Sequence, residues 1–198
     1  MIDEYLLVKS GCKKLILEKG QSVFEQGDLP RYYYQICRGA VKMNNFNDDG
    51  KEFVQAIFSD GDSFGEPPLF IGERYPANAV AIDASEIYQL PKEKFFDILK
   101  ANTDIHLQVT TILAKRLYFK SIMASAISSD EPEHRVLKLI DYFKNKINQI
   151  PKGEVYKVEI TRQQIADLTG LRVETVIRSI KSLEKKGELR INSRKVYR

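Results

Sequence analysis

Between Val173 and Lys186 four charged side chains, Glu174, Arg178, Lys181 and Lys185, recur at intervals of three and four residues. In a helix, 100° per residue brings them within about 60° of one another, while Val176, Ile180 and Leu183 cluster on the opposite side. One face suits a core and the other a partner. A carboxylate can accept from the amino group of cytosine, and a guanidinium can grip O6 and N7 of guanine in a major groove, so Glu174 and Arg178 are candidate base readers. Lys181 and Lys185 are a like-charge i,i+4 pair, mildly unfavourable in an isolated helix, and a polyanion would relieve that cost. The competing reading is an ordinary Glu174–Arg178 ion pair on a solvated face.

The flanking segments bear on that choice. Thr161-Arg162-Gln163-Gln164 has the capping-box pattern, with Thr161 as N-cap and Gln164 three residues on, ahead of inward-facing Ile165, Ala166 and Leu168. Thr169-Gly170-Leu171 makes a tight turn and Gly187 stops the second helix, so residues 161–187 read as a helix-turn-helix. The last residues form two short strands around Asn192-Ser193, a small wing whose Arg190, Arg194 and Lys195 would touch phosphates. Charge points the same way. Residues 131–198 carry 16 Lys+Arg against 9 Asp+Glu, net +7, whereas residues 1–130 carry 15 against 18, net −3. Such asymmetry favours an anionic partner for the carboxy-terminal part, nucleic acid first; a solvated Lys-rich surface is the alternative.

Upstream, Tyr32, Tyr34 and Ile36 alternate with other residues, Gly39 interrupts, and Val41 and Met43 resume, the pattern of two half-buried strands. Further segments at residues 53–58, 79–82 and 86–90 are separated by turn residues at Gly20, Gly27-Asp28, Asp48-Asp49-Gly50 and Asp60-Gly61. An antiparallel jelly roll of short strands is the economical reading. Residues 102–127 lack Gly and Pro and predict one long helix. Ile105, Val109, Ile112, Phe119 and Met123 recur near heptad spacing and are the expected seam with a second subunit, with Leu113 and Leu117 on an adjacent face. Burial of the whole helix within one subunit is the competing reading. Ser128, Ser129, Asp130 and Pro132 end the helix, and Ser129 or Asp130 could cap the next. The expected domains are a sensing β-roll over 1–101, a dimerisation helix and hinge over 102–129, and a DNA-binding domain over 130–198.

Several function classes are disfavoured. The 198 residues, 43% hydrophobic and 29% charged, fit a folded protein of one large or two small domains, with no apolar run near a bilayer span. An acidic pair, Asp3-Glu4, stands where a signal peptide needs basic residues, so a cytoplasmic location is expected. Cys12 and Cys37 cannot build a disulfide scaffold or ligate a metal centre alone; they are packing thiols or, alternatively, a redox pair. His106 and His134 are the two histidines, and none precedes His106, which argues against a metal-dependent enzyme built in the barrel. No metal and no cofactor is expected. A nucleotide-binding module acting on a partner protein would leave the charged helix unexplained.

The chain resembles the CRP/FNR superfamily of bacterial transcription regulators over essentially its full length. The resemblance is carried by Lys19-Gly20, Phe24, Gly27-Asp28, Gly39, residues 61–66 (GDSFGE) with Leu69-Phe70, residues 160–166 (ITRQQIA), Gly170 and residues 174–178 (ETVIR). It implies an α+β architecture: an amino-terminal cyclic-nucleotide-binding-like β-roll, a long dimerisation helix and a carboxy-terminal winged helix-turn-helix. It also implies a homodimer on a two-fold operator in double-stranded DNA, RNA polymerase as a further partner, and no membrane role. Thr161, Arg162, Gln163 and Thr175 would contact backbone, and Glu174 and Arg178 bases. Val173-Glu174-Thr175 looks closer to the FNR branch than to the cyclic-AMP receptor branch, which has arginine at the place of Val173; Ile177 replaces the serine of the FNR branch.

The same resemblance implies an effector pocket near Gly65, Glu66, Ala77, Asn78, Lys120 and Ser121, in which Glu66 would meet a ribose hydroxyl. The arginine that neutralises a cyclic phosphate in the family falls at Pro76, and a buried phosphate without a charged partner is costly. The expectation is therefore a regulator with a small effector other than cyclic AMP, or none. The alternative is a cyclic-nucleotide regulator with a modified phosphate cassette, in which Arg74 substitutes through a changed loop.

Overall fold

The computed structural model describes residues 1–48, 50, 52–127 and 131–198. Asp49 of the expected turn, and Ser128, Ser129 and Asp130 of the expected hinge and cap, lie outside them. The chain divides into two compact units, Met1–Ala114 and Lys115–Arg198, and the division falls inside the long helix.

The first unit opens with α1 (Glu4–Lys9), followed by β1 (Lys13–Leu17), β2 (Ser22–Phe24), β3 (Tyr32–Arg38), β4 (Val41–Phe46), β5 (Glu52–Phe58), β6 (Ser63–Phe64), α2 (Glu66–Ile71), β7 (Asn78–Ala81), β8 (Ser85–Pro91) and α3 (Lys92–Ala101). The start of α4 (Thr103–Ile127) completes it. Two four-stranded antiparallel sheets, in the orders β1-β8-β3-β6 and β2-β7-β4-β5, make the expected roll. Strand β3 explains how it is filled. Because neighbouring strand residues point to opposite faces, Tyr33 and Tyr34 enter different cores. Tyr33 stacks on Phe95 of α3 at 4.4 Å, among Leu7, Leu90, Leu99 and Val109. Tyr34 stacks on Phe64 at 5.5 Å, in a core that joins both sheets through Phe24, Val41, Phe58, Ala79 and Ile87. The sheet containing β3 is thus packed on both faces.

The turn between β3 and β4 depends on Gly39. Its φ is +105°, and a Cβ there would lie 2.7 Å from the Ala84 carbonyl oxygen and 2.8 Å from Ser85 Cα. Its amide donates to Asp60 at 2.7 Å, so the backbone cannot easily swing away.

The second unit contains the rest of α4, then α5 (Pro132–Tyr142), a π-helical turn (Phe143–Ile147), α6 (Arg162–Thr169), α7 (Val173–Lys185) and the hairpin β9 (Arg190–Asn192) and β10 (Lys195–Tyr197). Glu131 occupies the N-cap position of α5 without a side-chain cap, and Pro132 supplies the preset φ of the first turn. The core gathers Val136, Leu139 and Ile140 of α5, Ile165 and Ala166 of α6, and Val176, Ile180 and Leu183 of α7.

On helix α4 the expected seam residues Ile105, Val109, Ile112, Phe119 and Met123 are buried or half-buried within the chain. Val109 is buried with Ile105 beside it in the first unit, and Met123 is buried in the second unit, where Phe119 packs on Tyr142 at 4.6 Å. Ile112 is half-buried. A heptad repeat marks a face that must be covered and does not specify by what. Among the described residues, the large apolar side chains left exposed on α4 are Leu107, Leu117 and Tyr118, at 59%, 67% and 55%.

Gly39→Ala is expected to destabilise the roll by about 2–3 kcal/mol, from the strained φ and the close approach. A urea titration followed by tyrosine fluorescence would register this as a lower midpoint; an unchanged midpoint would mean that the β3–β4 turn relaxes.

Candidate functional site

The charged helix identified from sequence is α7, and packing fixes its rotation. Val176, Ile180 and Leu183 are fully buried against α5 and α6, with Ser179 beside them. Glu174, Arg178, Lys181 and Lys185 consequently all lie exposed on the other side, with Thr175 half-buried. Among the described residues none of these four charges makes a hydrogen bond or ion pair, so the Glu174–Arg178 bridge of the competing reading does not form. Arg172, one residue before the helix at its N-cap position, is exposed as well. It escapes a wheel drawn from Val173 onward, yet adds a cation at the leading end of this face.

Helix α6 is held by the expected capping box. Thr161 Oγ1 accepts from the Gln164 amide at 3.1 Å, and Gln164 Oε1 accepts from the Thr161 amide at 2.8 Å. Gln163 is exposed and donates one amide hydrogen to Asp167 at 2.7 Å. Arg162 donates to the Arg194 carbonyl at 3.2 Å, which joins the start of α6 to the tip of the wing. Gly170, in the left-handed region at φ 67°, ends α6 and lets the chain turn into α7.

The wing is a two-residue hairpin, with Asn192 paired to Lys195 across it. The turn residues are Ser193 and Arg194, one position later than the expected Asn192-Ser193, with φ of 49° and 65°. Positive φ at both central residues is the type I′ geometry that matches strand twist, normally filled by Asn-Gly or Asp-Gly. An arginine held there carries roughly 1 kcal/mol of backbone strain. Arg190 and Lys195 are exposed on the two strands, Arg190 lying over the Tyr197 ring at 5.6 Å.

Not every cation near the carboxy terminus is available to a partner. Lys186 is paired with Glu133 at 2.6 Å, and this hydrogen bond holds the Glu133 carboxyl below the usual carboxylate range. Arg198 pairs with Asp141 at 2.7 Å and Glu188 at 2.6 Å. These bridges tie α7 and the chain end to α5; among the described residues the cations of α7 and the wing are exposed without such partners, as are Lys138, Lys146, Lys152 and Lys157.

The residues expected at an effector pocket divide between the units. Gly65 (φ 74°) precedes α2, and a Cβ there would come within 3.0 Å of the Phe24 ring and 3.2 Å of the Tyr75 ring. Glu66 is 1% exposed and accepts from the Ser63 hydroxyl. Ala77 is buried, and Asn78 accepts from the Gln26 amide at 2.9 Å while donating to the Asn44 carbonyl at 3.3 Å. At Pro76 there is no cation; its carbonyl accepts from Asn45 Nδ2 at 2.6 Å, and that Asn45 amide also reaches Gln26 at 3.0 Å. Arg74 points its guanidinium at the Gly27 carbonyl, 2.6 Å away. Tyr75 is turned inward, buried and stacked on Phe24 at 3.6 Å. Lys120 and Ser121 are exposed on α4 and belong to the second unit. Cys12 and Cys37 are half-buried free thiols; burial, with Glu4 nearby, raises the Cys12 thiol above its ordinary range. Among the described residues no cluster of three or more His, Cys, Asp or Glu could hold a metal ion, and no helix is long and apolar enough to cross a membrane.

Comparison with known proteins agrees with this architecture. The cyclic nucleotide-binding domain model matches residues 14–102 and the Crp-like helix-turn-helix domain model residues 134–197, together about three quarters of the chain. The cAMP-activated global transcriptional regulator CRP of Pasteurella multocida is 28% identical over 164 residues, 82% of this chain and 78% of that protein. The cyclic AMP receptor protein of Thermus thermophilus is 26% identical over 189 residues, 96% of this chain and 85% of that protein. The c-di-GMP-responsive global regulator CLP of Xanthomonas campestris shares the fold, with a TM-score of 0.71 at 20% identity over 98% of each chain. With both domain signatures in order along the β-roll, the long helix and the capped helix-turn-helix, the chain belongs to the CRP/FNR superfamily of bacterial transcription regulators, which are not enzymes.

Proposed function

We propose that this regulator binds a two-fold operator as a homodimer and reads sequence through Glu174 and Arg178, while Thr161, Arg162, Gln163, Thr175, Lys181, Arg190, Arg194 and Lys195 hold phosphates. The observation that carries the reading is the α7 face, in which an exposed carboxylate and guanidinium sit without partners on a helix whose other side is fully buried. Cytosine and guanine edges offer the complementary groups, and a dimer would present two such helices to half-sites about 34 Å apart. Downstream of binding, RNA polymerase in the cytoplasm is the expected partner.

For the dimer contact we favour the exposed stripe of α4. Leu107, Ala114, Leu117, Tyr118 and Ser121 fall within about 100° of one another around the helix, and a second copy of the same helix would cover them. The effector is a small molecule other than cyclic AMP. This is supported by the uncharged Pro76 at the place of the phosphate-binding arginine, and by Tyr75 filling the space beside Gly65. The matched domain model and the names of the relatives favour the alternative, a cyclic nucleotide held by a modified cassette, and DNA binding strengthened by cyclic AMP would establish it.

Three outcomes test these proposals. Arg178→Ala should lose about 1–3 kcal/mol of discrimination at one guanine per half-site in competition gel shifts. Equal affinity for all sequences before and after the change would remove Arg178 from the reading role. Arg194→Gly should act in opposite directions on two quantities, raising stability by about 1 kcal/mol while lowering the salt dependence of DNA binding by about one phosphate contact. If the salt slope stays the same, the wing tip does not touch DNA. Leu107→Glu with Leu117→Glu should convert the protein to monomer in sedimentation velocity runs; a persistent dimer would place the interface elsewhere.

A further inference from the structure

Apart from the Gly65–Glu66 segment, the first unit has an open cleft of about 450 Å³ between the β2–β3 loop, β3, β8 and the loop that precedes β7. That volume is within the range of small-molecule sites. Its floor is aromatic: Phe24, Tyr34 and Tyr75, each at most 5% exposed, with Phe24 and Tyr75 stacked at 3.6 Å. Val23 and Leu29 add apolar wall, and Leu29 is 49% exposed although it lines a concave surface.

The charged groups at the rim are Arg31, Arg74 and Asp28. Asp28 is engaged in its own turn, where its carboxylate accepts from the Glu25 amide at 2.9 Å. Arg74 is aimed by one bond to the Gly27 carbonyl at 2.6 Å, which leaves its other donors open. The Arg31 side chain makes no hydrogen bond or ion pair among the described residues. Tyr34 contributes a phenol whose oxygen accepts from Gln89 at 3.4 Å, so its own proton can be donated. Burial raises its pKa, which keeps that proton in place at neutral pH.

We propose that this cleft binds a small organic monocarboxylate with an apolar or aromatic body. Two guanidinium groups against one carboxylate leave a single net positive charge, suited to a monoanion. A planar carboxylate matches the fork of an arginine in a way that a neutral alcohol cannot. The half-buried Val23 and Tyr32 and the exposed Leu29 then take the apolar body, above the aromatic floor. The floor is also the Phe24–Tyr75 pair that packs on Gly65, so a ligand held by Arg74 braces the loop carrying Pro76–Asn78. The proposal rests on the reading of the first unit as a sensor only for its use in regulation; the binding itself requires no DNA.

Calorimetric titration of sodium benzoate into the full chain tests it. Benzoate should bind saturably at one site per chain, with inorganic phosphate and benzyl alcohol binding far more weakly. Arg31→Met and Arg74→Met should each weaken benzoate by about tenfold or more. Both side chains are exposed, so an unaltered urea midpoint should accompany the loss and separate it from unfolding. Absence of saturable benzoate binding, affinity for phosphate or benzyl alcohol equal to that for benzoate, or indifference to both substitutions would each overturn the proposal. Gel shifts without ligand report on the DNA reading separately, so either idea can fail alone.

Discussion

The helix-turn-helix unit depends on the burial of Val176, Ile180 and Leu183 in the core with α5 and α6. Each such side chain is worth roughly 1.5–3 kcal/mol when removed from water, and all three lie on one stripe of α7. Rotating the helix by one residue position would swing the stripe by 100° and lose several kcal/mol. The repulsion between Lys181 and Lys185 amounts to only a few tenths of a kcal/mol. Packing therefore wins, and the charged face is held outward whether or not a polyanion is present. Pre-positioned side chains of this kind lose little further freedom when they meet a partner.

A comparable constraint shapes the roll. With β3 sending Tyr33 to one core and Tyr34 to the other, its sheet has no free face, and the space between the sheets fills with aromatic rings. Gly65 lies against two of them, and a Cβ there would require the rings to give by a few tenths of an ångström. A ligand phosphate brought to Pro76 would meet a buried Ala77, an inward Tyr75 and an amide bonded to the Pro76 carbonyl, with no cation from that segment. Leaving such a charge unpaired costs more than hydrogen bonds from amides return.

The helix-turn-helix was legible in the sequence because its signals are local. Thr161 and Gln164 lie three residues apart, Gly170 marks a left-handed turn, and the α7 wheel closes within four turns. The strands of the roll were legible for the same reason, through alternation and turn residues. What could not be read were choices between equivalent surfaces. The spacing of Ile105, Val109, Ile112, Phe119 and Met123 marks an apolar face, but the same spacing serves a helix that covers its own chain, and only tertiary packing exposed Leu107, Leu117 and Tyr118. Tyr75 gave no sign of entering the core, because its partner Phe24 is about fifty residues away in sequence. The cleft beside it is likewise assembled from four separated segments.

The wing shows how local strain is tolerated. An isolated two-stranded hairpin is marginal in water, and this one carries a non-glycine pair at positive φ in its turn. It is held from outside. Tyr156 and Arg198 exchange two backbone hydrogen bonds at 2.7 and 2.8 Å, Val158 donates to the Val196 carbonyl at 2.9 Å, and Arg198 is clamped by Asp141 and Glu188. The paired strand ends and the buried Val196 offset the strain at Ser193 and Arg194. A turn built for stability alone would carry Asn-Gly; the guanidinium at this tip is the one proposed above to reach a phosphate. Lys186 and Arg198 serve the fold through their carboxylate partners, while Arg178, Lys181, Lys185 and Arg194 serve no internal partner. Part of the positive charge of the carboxy-terminal part thus lies unpaired on α7 and the wing, the two elements that a duplex would meet in the proposed complex.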